Sequence, residues 1–341
     1  MPFRSPLPHP RALATAGILA IAAGLSGGCD FHTCQKVSDD TLSELPPTLS
    51  GSGLYADIAA GTLSDDVIPF TPRFTLWADG AEKQRWLALP SGGTIDASNV
   101  DSWRFPEGTR AWKEFDVDGV RVETRMIQKI GPEDADWAAV AYRWDGEDAT
   151  AVRDGAVDAN GTTHYIPTAE ECVACHGGRA SFILGFSAVQ LAGAEGVNVD
   201  SLVADGRLSP APGPISAPAA DVAALGYLHA NCSHCHNPER ALGVLGARCY
   251  DPDVALDWTL PATSLTAVTD SPALKTGSDQ LGNAQWSEVL ERISKRNSSN
   301  TNPTMPPLGT DVVDDDGVAL LTAWIDTLNL SSGNDGESWQ R

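Results

Sequence analysis

The sequence predicts an α+β chain: an antiparallel β-rich N-terminal domain followed by an all-α C-terminal domain. Three observations carry this. "AWKEFDVDGVRVETRMIQKI" holds two alternating runs around Asp118-Gly119, a strong hairpin signal. Trp77, Trp86, Trp103, Trp112, Trp137 and Trp144 fall in or beside such runs, as suits a sheet with an aromatic core. Past a Pro/Ala-rich stretch, apolar residues recur at helical spacing instead of alternating.

Taken in order, Arg4 and Arg11 flank a short polar start, and "ALATAGILAIAAGL" (12–25) is almost wholly apolar. Fourteen residues are too few to span a bilayer but fit a signal h-region, so 1–28 reads as a signal peptide. "LSGGC" leads into Cys29 and resembles a lipoprotein cleavage site, with Ser26 where leucine is usual and Leu25 one place earlier. The expectation is an exported protein, in the periplasm or cell envelope, tied to a membrane only through lipid on Cys29. Residues 29–50 read as a polar tether and 51–207 as the β-rich domain. In its hairpin, Val120, Val122, Thr124 and Met126 would share one face and Arg121, Glu123 and Arg125 the other. "DWAAVAYRW" (136–144) reads as another strand, and "LSPAPGPISAPAA" (208–220) as a semi-rigid linker.

The all-α part is placed at 221–331, with a tail at 332–341. Asp221 would cap a first helix carrying Val222, Leu225 and Leu228. "WSEVLERISKR" (286–296) gives a second, and a third starts near Asp315 with Val318, Leu321, Ile325 and Leu328 as its stripe.

With 45 acids against 23 bases the net charge is −22, which argues against nucleic acid and suits redox partner proteins with cationic docking surfaces. The seven cysteines matter more. Cys172-x-x-Cys175-His176 and Cys232-x-x-Cys235-His236 are both C-x-x-C-H. Two thiols at this spacing can each form a thioether with one haem, and the adjacent histidine then meets the iron as axial ligand. A four-cysteine zinc site is the main rival, but 56 residues separate the pairs and a histidine follows each. A redox dithiol would call for a βαβ setting, and plain disulfides would not need the histidines. Two c-type haems, and hence two iron centres, are therefore expected. With Cys29 lipidated, Cys34 and Cys249 remain and could pair.

"PTMPPLGTD" sets Met305 on a proline-rich loop 69 residues after His236, a natural sixth ligand for the second iron. The order of helix, C-x-x-C-H, methionine loop and aromatic-bearing last helix resembles the cytochrome c domain, over about 217–331. The resemblance implies a close crossing of first and last helices at Gly226 and Trp324. For the first iron, His164 in "GTTHYIP" is the leading distal candidate, ahead of Met126 and of an open position. His229 and His234 lie near the second haem, His234 as a spacer that would face solvent.

"FTPRFTLWADGAEKQRWLALPSGGTID", "WRFPEGTRAWKEF", "GVRVETRMIQKI" and "IPTAEECVACHGG" extend the likeness. They resemble a family of bacterial di-haem c-type proteins in which a β-rich domain bearing one C-x-x-C-H precedes a cytochrome c domain. That family often retains the histidine matching His164. The resemblance implies an exported di-haem c-type cytochrome, an electron-transfer protein more than a catalytic enzyme. The alternatives are a di-haem peroxidase-like oxidoreductase and a binding module whose haems only relay electrons.

Overall fold

The computed structural model describes residues 45–177, 181–215, 222–237, 257–263, 287–296, 304–307 and 309–331. The signal peptide, Cys29, Cys34, Cys249 and Asp221 lie outside the described residues.

The frame is a six-stranded antiparallel sheet in the order β3-β4-β6-β7-β8-β9, formed by β3 (Ile68–Pro69), β4 (Glu82–Ala88), β6 (Arg110–Val117), β7 (Val120–Lys129), β8 (Trp137–Asp145) and β9 (Asp148–Val152). A small hairpin of β1 (Tyr55–Asp57) and β2 (Thr62–Leu63) precedes it. β5 (Ile95–Asp96) pairs in parallel with β10 (Leu208–Ser209), so the expected linker begins as a short strand with Leu208 buried. The β6–β7 turn is as read from Asp118-Gly119: both residues have positive φ, 52° and 80°, as a tight hairpin turn requires.

The two faces bury different material. On one, Trp86, Trp112, Met126, Val140, Tyr142 and Trp144 pack with Leu45, Leu49 and Leu54. Leu45 and Leu49 belong to the expected tether; burial at 7% and 0% exposure makes them instead the cover of this face. The register shift beside Phe115 also disturbs the expected alternation. Val122 packs with Phe115, while Arg121 lies over the Trp144 ring, so each lands on the face opposite to its sequence assignment.

Against the other face pack the short helices α1 (Ala169–His176), α2 (Ala188–Leu191) and α3 (Val199–Ala204), with α4 (Val222–Asn231), α5 (Glu288–Ile293) and α6 (Asp315–Ser331). The expected all-α cytochrome c-like domain is corrected here: among the described residues no such unit is present. Leu225 and Leu228 of α4, Leu290 of α5 and Leu321 and Ile325 of α6 join one apolar cluster with Leu87, Ala111 and Ile127 of the sheet.

The cause is the segment after β3. Trp77 N–H donates to the Asn231 side chain at 2.7 Å, and its indole N–H donates to the Val312 carbonyl. Asp79 accepts from the Thr310 hydroxyl and the backbone N–H of Asp311 and Val312. Phe74 lies over Gly226, so the close approach at that glycine is to Phe74 rather than Trp324; α6 meets α4 where Tyr227 covers Gly317.

A Cβ at Gly226 would run into the Phe74 ring. Gly226→Ala is therefore expected to cost about 1–3 kcal/mol by overpacking. Urea denaturation checks this, and adding Phe74→Ala should recover part of the loss; full wild-type stability in the single variant would refute the contact.

Candidate functional site

α1 is started by a capping box. The Thr168 hydroxyl accepts from Glu171 N–H, and the Glu171 carboxylate accepts from Thr168 N–H at 2.8 Å and from the Tyr165 hydroxyl. "TAEE" carried this signal in the sequence. The cap fixes the helix that presents Cys172, Cys175 and His176.

His176 ends α1. Its Nδ1 lies 2.7 Å from the Phe182 carbonyl oxygen, which can only accept, so Nδ1 bears the hydrogen and Nε2 keeps its lone pair for a ligand role. Phe182 has φ of 52° and stacks on Trp137 at 5.6 Å, so the acceptor is held in a left-handed conformation by packing. Burial, with Lys113 and Arg125 nearby, brings the His176 pKa down to about 4 against the opposing Phe182 hydrogen bond, and the ring stays neutral at physiological pH.

The second motif follows α4 as a tight turn, in which His236 N–H donates to the Cys232 carbonyl and the His236 carbonyl accepts from Trp258 N–H. Ser233 and Asn237 side chains tie the turn to the carbonyls of His229 and Ser233. The two motifs come together: Cys235 and His234 lie close enough to Cys175 to act on its thiol. The closeness of the two thiols raises Cys175 well above the usual thiol range and lowers Cys235, while burial pushes Cys172 and Cys232 up to about 12. All four cysteines are free of disulfides.

His234 is corrected from a solvent-facing spacer. It is buried, at 7% exposure, because the first motif packs on it, and its Nδ1 has no hydrogen-bond partner among the described residues. His229 is also buried, its Nδ1 accepting from Leu260 N–H. Cys172 faces a mostly apolar cleft of about 440 Å³ that also touches Leu45, Ala139, Ala141, Val152 and Pro167. This volume lies in the ordinary small-molecule range.

His164 is buried, with Nε2 at 2.7 Å from Glu123 Oε2 and its ring beside Phe115. Glu123 is clamped in turn by Arg125, whose Nε and Nη2 donate at 2.7 and 2.8 Å. Arg125 lies within electrostatic reach of Cys172 and Cys175, so His164 is brought to the sheet face that carries the first motif. Met126 is not: it sits in the opposite core with Trp112 and Tyr142. Met305 is tethered to α5 and the residues just after it. Its N–H donates to the Arg292 carbonyl, its carbonyl accepts from Arg296, and its side chain packs on the cluster that Cys232 also touches.

Among the described residues no three His, Cys, Asp or Glu side chains are grouped to hold a bare metal ion. The donor set, four unpaired thiols in two C-x-x-C-H turns with a neutral His176 oriented through Nδ1, fits covalent haem better than a four-thiolate zinc site. Sheet and site together define the class: an antiparallel β framework that brings a helix-borne C-x-x-C-H and a C-x-x-C-H turn together. Neither the family models, nor the curated proteins, nor the solved structures yield a match to this chain.

Proposed function

We propose that the protein is an exported di-haem c-type electron-transfer protein, c-type by its attachment chemistry and not by a helical fold. Cys172 and Cys175 would hold one haem and Cys232 and Cys235 the other, with His176 and His236 as the candidate iron ligands beside them. Met305 is the candidate sixth ligand on the second iron, and His164 the remaining candidate on the first. Bound there, the haems supply one-electron ferrous/ferric couples.

The supporting observation is that the first motif's Cys175 lies beside Cys235 and His234 of the second. Attachment points this near would hold two redox groups close enough to exchange electrons within one chain. The chain's own residues supply the setting. Phe182 fixes the His176 tautomer, Trp137 backs Phe182, and the apolar cluster excludes water from the motif turns. The net charge of −22 would favour cationic redox partners.

A pyridine haemochrome assay tests the reading on protein exported by a host with c-type haem maturation. Two c-type haems per chain are expected, falling to one in Cys232→Ala/Cys235→Ala. A haem-free chain, or one that binds zinc instead, would overturn it.

A further inference from the structure

Beneath the first motif lies a row of cations. Arg85 of β4 pairs with Lys113 of β6, and Lys113 pairs with Arg125 of β7, so three positive side chains stand on neighbouring strands of one face. Like charges directly opposite one another destabilise a sheet unless something offsets them. Arg125 is matched by Glu123. Lys83, on the same face, donates to the Leu76 carbonyl. Arg85 and Lys113 have no such partner. Arg85 is 8% exposed and, among the described residues, makes no ion pair or hydrogen bond through its side chain. Lys113 is part-buried, and its ammonium lies only over the Phe115 ring, at 4.9 Å.

A buried cation without an anion costs several kcal/mol, and a chain with 45 acids had carboxylates to spare for it. Burial pulls Arg85 down to about 10, and burial with the neighbouring cations pulls Lys113 well down against the opposing charge of Glu123, so both charged forms would gain from a further anion. The row runs up to the first motif: Lys113 and Arg125 lie within electrostatic reach of His176, and Arg125 of Cys172 and Cys175. An anion arriving with the first motif's cofactor would meet it.

We propose that Arg85 and Lys113 receive the propionate carboxylates of the haem attached at Cys172 and Cys175. This rests on the di-haem reading and adds to it the residues that neutralise the acidic edge of one haem. Phosphate would suit the same charges, but the haem is the anion that the adjacent thiols call for.

The test is spectroelectrochemical titration of the haem-loaded protein with Arg85→Gln, Lys113→Gln and Arg85→Lys. Both glutamine variants should keep two haems and lower the midpoint potential of one haem while leaving the other in place, because a lost positive charge favours the ferric state. Arg85→Lys should return that potential towards wild type. Two haems with unmoved potentials in both glutamine variants would overturn the inference and leave the di-haem reading intact. No haem in the wild type would remove both. A rise in wild-type melting temperature with succinate that Arg85→Gln abolishes would assign the row to a free dicarboxylate and overturn it too.

Discussion

Replacing Glu123 by leucine is expected to cost about 3–5 kcal/mol, the loss seen when one partner of a buried ion pair is removed. Glu123 is fully buried and serves three donors, two on Arg125 and His164 Nε2. Its charge also acts on Lys113. Without it, Arg85, Lys113 and Arg125 stand together with no anion. Glu123→Leu/Arg125→Met should recover much of the loss by removing the orphaned charge, less the cost of an unpaired His164 nitrogen, about 1–3 kcal/mol.

The effect depends on pH. Burial pushes the Glu123 carboxyl up, but the Arg125 charge and the His164 hydrogen bond outweigh burial and hold it below the usual glutamate value. A carboxylate depressed in the folded state stabilises fully above its unfolded pKa, about 4.3, and that contribution is lost as pH falls through the lower folded value. Urea denaturation at pH 7, 5, 4 and 3 should therefore show wild type and Glu123→Gln far apart at neutral pH and converging in acid. A gap that stays constant with pH would rule out this account.

What the sequence made legible was local. Asp118-Gly119 states its own turn, because both residues tolerate positive φ. Val318, Leu321 and Ile325 state the stripe of α6, which starts at Asp315 as read. Both C-x-x-C-H turns were visible as chemistry. The long-range pairings were not. Helical spacing says that Leu225 and Leu321 are buried, but not that the Phe74–Asp79 segment reaches across to bind α4 and the 310–312 loop. Arg85 lies well away in sequence from Lys113 and Arg125, and strand register makes the three neighbours. Glu123 and Arg125 alternate as a solvent-facing pair would, so nothing local marks that they are covered. The same holds for Cys175 and Cys235, which no spacing rule could bring together.

Phe186→Ala is expected to cost about 3–5 kcal/mol and to do so across the whole molecule. Phe186 is completely buried and meets Phe70, Trp103 and Phe105 edge-on, at ring distances of 4.9, 6.1 and 6.1 Å. Each such aromatic pair adds about 0.5–1.5 kcal/mol beyond the area it buries. The cluster it belongs to contains sheet residues, Cys172 and the apolar faces of α4 and α6. A helical unit folded around its own core would keep its melting temperature when Phe186 is truncated. A shared core cannot. Far-UV circular dichroism of the helices and near-UV signals of the buried tryptophans should therefore report one coincident transition in wild type. In Phe186→Ala both should move down together by roughly 6–20 °C, at about 2–4 °C per kcal/mol for a chain of this size. If the tryptophan signal alone shifts while the helical signal keeps its wild-type midpoint, the cluster is not one cooperative core, and the C-terminal helices stand on a core of their own.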